Sequence, residues 1–117
     1  MAKDAVTIFH NPNCGTSRNV LAALRERGLD PKVVEYLKAG WTSPQLEGLL
    51  KAMHARPRDI LRTRGTPAEA LGITADSSDD KILAAMVAEP ILVERPIVVT
   101  PKGTALCRPK EKLDALL

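Results

Sequence analysis

The sequence predicts an α/β fold in which a βαβ half and a ββα half share one mixed four-stranded sheet, with a helical insertion between them. Three observations lead there. Short β-branched runs at 5–10 and 32–37 enclose one stretch of helical periodicity. A second pair of such runs, at 96–100 and 104–107, is close enough to form a hairpin. Between the two halves the apolar residues recur only at helical spacing.

Each element has a local cause. AVTIFH at 5–10 is a β-branched apolar run and reads as a strand, closed by the turn signal Asn11-Pro12-Asn13. From Thr16 to Arg27 the residues Val20, Leu21 and Leu24 mark one helical face, and Gly28 stops the helix. KVVEYL at 32–37 is the second strand, parallel to the first because a crossover helix joins them. In the insertion, Thr42 with Gln45 forms a capping box before Leu46, Leu49, Leu50 and Met53. A turn of helix is expected at Pro57–Leu61. Thr66-Pro67-Ala68-Glu69 suggests another capped helix ended by Gly72. Ser78-Asp79-Asp80 opens a third, carrying Ile82, Leu83, Met86 and Val87, with Pro90 after it. PIVVT and TALC are strands joined at Pro101-Lys102-Gly103. Pro109 starts a last helix with Leu113, Leu116 and Leu117 on one face.

This order matches a thioredoxin-like three-layer α/β/α fold. The expected organisation is a single domain over 1–117, with the core at about 1–40 and 91–117 and the insertion at about 42–90. In that architecture the X-Pro bond entering the third strand is usually cis and faces the nucleophilic thiol, so Arg95-Pro96 is a candidate.

Bulk properties narrow the function. One Phe, one Tyr and one Trp leave no set of rings on which to stack bases or sugars. The formal net charge is +3 and the Lys and Arg residues are scattered, so no nucleic-acid tail is expected. No segment has about 18 uninterrupted apolar residues, and MAKDAVTIFHNPN lacks a secretory apolar stretch. Two cysteines cannot build a disulfide framework. A soluble cytoplasmic protein of a reducing compartment is expected, with no membrane or nucleic-acid partner.

Cys14 falls between the first strand and the first helix. The unsatisfied backbone N–H groups of Gly15, Thr16 and Ser17 can point at its sulfur, and the helix dipole favours negative charge there. Such a position lowers a thiol pKa, and the strand–Cys–helix junction is a recurrent setting for activated thiols. The other reading is a buried cysteine that packs as a small hydrophobe. His10 either adds positive charge beside the thiol or is a satisfied histidine at a strand end. Cys107 is either a buried strand residue or a second redox thiol. Arg62, Arg95 and Arg108 are ordinary surface arginines unless the fold makes them converge.

Spacing removes several chemistries. Cys14-Gly15-Thr16-Ser17 lacks the second cysteine of a C-x-x-C redox pair. A phosphatase-type loop needs an arginine where Val20 stands, and Gly15-Thr16-Ser17 is not a nucleotide P-loop. No metal site is expected, because Cys14 and His10 have only Cys107 and His54 as companions.

HNPNCGTSRN at 10–19, ILR at 60–62 and ERPIVVTPKGTALCRP at 94–109, in this order of elements, resemble the glutaredoxin-coupled arsenate reductases, the ArsC family. The resemblance covers essentially the whole chain. It implies that Cys14 is the catalytic thiol and that His10 helps lower its pKa. It implies that Arg62, Arg95 and Arg108 form a basic triad for the oxyanion, around the Cys14–Ser17 loop that binds substrate. Arg64, two residues on, is an alternative to Arg62. The Arg95–Pro96 bond would be cis. Arsenate, glutathione as co-substrate and glutaredoxin are the implied partners, with no bound cofactor. Spx-type regulators share the fold but usually carry C-x-x-C, where this chain has Ser17. A non-enzymatic Spx-like binding protein, or a thiol oxidoreductase of the same fold with another substrate, is the competing reading. Monothiol glutaredoxins share a CGTS-like tetrad but fit the LCRP segment and the inserted helices poorly.

Overall fold

The computed structural model describes residues 5–117. The first four residues, which the expected domain includes, lie outside the described part. The chain divides into two compact units. One runs to Ala39 and resumes over Arg95–Leu117; the other is Gly40–Glu94.

The first unit contains the sheet. Strand β1 (Thr7–His10) pairs in parallel with β2 (Lys32–Glu35), and antiparallel with β3 (Ile97–Thr100), which pairs antiparallel with β4 (Gly103–Leu106). The order β2-β1-β3-β4 is the mixed sheet that a βαβ and a ββα half require. Helix α1 (Gly15–Glu26) places Val20, Leu21 and Leu24 against Val6 and Ile8 of the β1 segment and Val98 of β3. Leu113 and Leu116 of the C-terminal helix join the same cluster. Phe9 and Ile97, register partners, alternate to the opposite face.

The first strand begins at Thr7 and not at Ala5, and three further elements depart from the sequence reading. The second strand stops at Glu35, and Tyr36–Ala39 forms a single helical turn, α2. The reason is the partner: β1 ends at His10, opposite Glu35, and the chain then turns at Asn11. No residue of β1 remains in register opposite positions 36 and 37. The fourth strand begins at Gly103 and stops at Leu106, although the Cys107 amide still donates to Pro96 O at 2.9 Å. The last helix, Lys110–Leu116, is a 3-10 helix. Its three-residue turn stacks Leu113 directly over Leu116, so both reach the cluster from a very short segment.

The second unit holds α3 (Ser43–Met53) and α4 (Asp79–Ala88), with 3-10 turns at Pro57–Ile60 and Pro90–Leu92 packed on α4. The Thr42–Gln45 capping box is present in both directions. Ser78 caps α4 by accepting the Lys81 amide at 3.2 Å. An antiparallel bridge between Leu61 and Val93 ties the middle of the unit to its C-terminal end, with Arg62 N–H donating to Leu92 O and Glu94 N–H to Ile60 O. The helix expected at Thr66–Gly72 is instead a pair of hydrogen-bonded turns. Thr66 Oγ1 donates back to Arg62 O and Thr63 O, and the amide it accepts belongs to Ala68, not Glu69. Leu71 is exposed, so the segment has no apolar stripe to bury, and tertiary packing is what usually sustains a short helix.

Candidate active site

The Asn11–Asn13 loop delivers Cys14 to the mouth of α1. The Asn11 side chain accepts the Asn13 amide at 2.9 Å, and Cys14 N–H donates to Asn11 O at 3.0 Å. Cys14 is the N-cap of α1 in extended conformation, with no side-chain cap bond. The first-turn amides of Gly15, Thr16 and Ser17 therefore have no intrahelical acceptor. The Ser17 amide, third in this turn, is the largest of the influences that lower the Cys14 pKa.

Two arginines complete the thiol's surroundings. Arg95 sits just before β3 and Arg108 just beyond β4. The Ile97–Leu106 pairing brings them to one end of the hairpin, and Phe9–Ile97 sets that end beside the C-terminus of β1. Arg108 Nη1 lies 3.5 Å from Cys14 Sγ and also donates to Arg95 O at 3.2 Å. Arg95 also lowers the Cys14 pKa, through hydrogen bonding and through its charge. It is only 8% exposed, and its Nε and Nη1 have no hydrogen-bond partner among the described residues. A buried guanidinium with unused donors is costly unless an anion occupies it. Both Arg95-Pro96 and Arg108-Pro109 are cis. The first was expected; the second was not.

Burial is the largest single influence on the Cys14 thiol and pushes its pKa up. The Ser17 amide, the Arg95 and Arg108 guanidinium hydrogen bonds and the Arg95 charge together outweigh it, lowering the pKa from 9.0 to about 7. The lowered pKa favours the reactive reading, although Cys14 is 8% exposed. Cys107 shows the contrast. It is fully buried in the apolar cluster, and burial pushes its pKa up to about 11. Both cysteines are free thiols.

Of the two readings of His10, the geometry favours the satisfied histidine at a strand end. Burial lowers its pKa, which disfavours the charged ring. It acts instead through Ser17: His10 Nδ1 meets Ser17 Oγ at 2.6 Å, and the same oxygen accepts the Asn11 amide at 3.1 Å. Three buried polar groups thus fix the start of the loop and the first turn of α1. The sequence reading included the Ser17 backbone but missed its hydroxyl. No spacing rule announces a contact across a turn of this kind.

In the second unit, Arg62 is half-buried and forms an ion pair with Glu94 at 2.7 Å. The other Glu94 oxygen lies 4.0 Å from the exposed Arg64. Glu94 is a residue the sequence reading passed over. Among the described residues no group of three or more His, Cys, Asp or Glu is arranged to hold a metal ion. No helix among them is long and apolar enough to cross a membrane.

The chain can now be set beside known proteins. The model of the ArsC family matches residues 9–116. An arsenate reductase of Synechocystis is 52% identical over 118 residues, spanning all of this chain and 82% of that protein. The arsenate reductase of Escherichia coli K12 is 46% identical over 107 residues, covering 91% of this chain and 76% of that protein. Among solved structures, the arsenate reductase from Vibrio cholerae superposes with a TM-score of 0.88 at 34% identity, covering 96% of this chain and 97% of that one.

Proposed function

The chain belongs to the ArsC family, and from that premise we propose that it reduces arsenate to arsenite with Cys14 as nucleophile. The observation that carries this reading is the buried Arg95, whose Nε and Nη1 are unpartnered among the described residues and whose charge helps hold the Cys14 pKa down. Donors waiting beside a low-pKa thiol suit a tetrahedral oxyanion that the thiol attacks.

The chemistry follows from the residues. The Cys14 thiolate bonds to arsenic, and one arsenic hydroxyl takes a proton and leaves as water. Two anions meet in this step. Arg95 and Arg108 offset the charge with planar donor forks, and the free amides of Gly15 and Thr16 face the same developing charge. On sequence resemblance alone, Arg62 is the third oxyanion ligand, with Arg64 as the alternative. His10 is a positioning residue that acts through the Ser17 hydroxyl.

Reduction of arsenic(V) to arsenic(III) needs two electrons, and Ser17 stands where a neighbouring thiol would be. The electrons come from external thiols, glutathione and then glutaredoxin. The glutathione sulfur bonds to arsenic and a second water leaves. A glutaredoxin thiolate attacks that glutathione sulfur: the S–S bond forms, the As–S bond breaks and its electron pair stays on arsenic. Water then releases arsenite and returns Cys14. No bound cofactor is required. Two free thiols fit a reducing cytoplasm.

The test is arsenate-dependent NADPH oxidation, coupled through glutathione reductase, glutathione and glutaredoxin. Turnover should stop when glutaredoxin is omitted, or when glutathione is omitted with no other small thiol in its place. Sustained turnover with thioredoxin and no glutathione would overturn the donor assignment.

A further inference from the structure

Beside α1 lies a cleft of about 490 Å³ that the oxyanion arginines do not line. Its size falls within the range of small-molecule sites. His10 and Pro12 form the end next to the Cys14 loop, and Leu21 gives an apolar surface. Arg18, Arg25 and Glu26 supply the charge. Arg18 is anchored over the loop: its Nη1 donates to Pro12 O at 2.9 Å, and its Nη2 lies 3.8 Å from where a Cβ on Gly15 would be. Arg18 and Arg25 are seven positions apart on one helical face, a rise of about 10.5 Å.

We propose that this cleft seats the thiol co-substrate as a carboxylated tripeptide thiol of the glutathione type. The inference rests on the thiol-dependent reading above. The complementarity is specific. Such a molecule carries two carboxylates and one ammonium; the cleft offers two guanidinium groups and one carboxylate. An extended tripeptide spans roughly 10 Å, which matches the separation of the two arginines. The glycyl carboxylate, next to the cysteinyl residue, pairs with Arg18 beside the Cys14 loop. The glutamyl amino-acid end reaches Arg25 with its carboxylate and Glu26 with its ammonium. The thiol then faces the arsenic adduct, where its sulfur bonds to arsenic and the departing hydroxyl leaves as water with the thiol proton.

The test compares wild type with Arg25→Glu and the milder Arg25→Gln, varying each substrate separately. Arg25→Glu should raise the glutathione KM about five- to ten-fold, as reversal of an exposed charge pair does. The arsenate KM should not change. Turnover driven by 2-mercaptoethanol, which has no carboxylate, should match wild type. S-Methylglutathione, which cannot react, should shift amide resonances over residues 18–26 in wild type and not in Arg25→Glu. An unchanged glutathione KM, or equal slowing with both thiols, would overturn the proposal. If wild type shows no glutathione-driven turnover, the parent reading fails. S-Methylglutathione shifts confined to 18–26 would still support the cleft, and shifts elsewhere or none would end it.

Discussion

At the Cys14 sulfur, burial and hydrogen bonding pull in opposite directions, and the donors win. Because the thiolate is the reactive form, alkylation should accelerate as pH rises through about 7 and level off above it. Ultraviolet thiolate absorbance in a Cys107→Ala background reads the midpoint directly. Arg95→Ala and Arg108→Ala should each move it up towards 9.0, because each removes a donor to the sulfur. A midpoint of 9.0 in the parent would remove the basis for activation. The same two variants should lose roughly ten- to a hundred-fold in kcat/KM, since each charge-assisted hydrogen bond is worth about 1.5–3 kcal/mol. Arg56→Ala and Arg58→Ala are the comparison. Arg56 pairs with Asp79 at 3.1 Å on the surface of the other unit, and Arg58 is exposed. Steady-state kinetics should leave both near wild type. Cys107→Ala should also keep its glutathione-dependent turnover, because a fully buried thiol with a pKa of about 11 is a poor nucleophile. Loss of turnover with normal circular dichroism would put the protein in the class that uses an internal disulfide.

Among the elements, the helix ends were the most legible, because caps are local chemistry. Thr42 with Gln45, Ser78, and Gly28 at φ 78° each do what their residue types dictate. The Thr66–Gly72 segment has the same kind of signal and no helix, because a cap without a buried stripe does not sustain one. The strand–Cys–helix junction was equally local and placed the thiol correctly. The His10–Ser17 link was not legible, since it depends on how Asn11–Asn13 folds the chain back. Two variants separate the roles. Thr42→Ala should cost about 1 kcal/mol in urea denaturation and leave kcat/KM unchanged. Ser17→Ala leaves the buried Asn11 amide and His10 Nδ1 without their oxygen, and should cost about 1–3 kcal/mol. It should also move the Cys14 midpoint, because the amide that holds the sulfur belongs to the same residue. An unchanged midpoint would make Ser17 merely structural.

Over the whole molecule, the candidate site depends on topology. Cys14 and Arg108 are 94 positions apart, and the sheet order alone brings them within 3.5 Å. The sequence indicated a βαβ unit and a hairpin, and the hairpin predicts that residues flanking its open end are neighbours. That is why Arg95 and Arg108 were recoverable from sequence. The partner of Arg62 was not: Glu94 reaches it through an irregular bridge between Leu61 and Val93 that no periodicity reveals. The lowered pKa of His10 was equally hidden, because it follows from burial and not from residue type. The central claim is that one thiol, Cys14, performs the reduction. The measurement that tests it most directly is arsenate-dependent NADPH oxidation by Cys14→Ser, with saturating glutathione and glutaredoxin and circular dichroism to confirm folding. The account predicts a rate equal to the enzyme-free blank. A folded Cys14→Ser protein that still reduced arsenate at an appreciable fraction of the wild-type rate would contradict it.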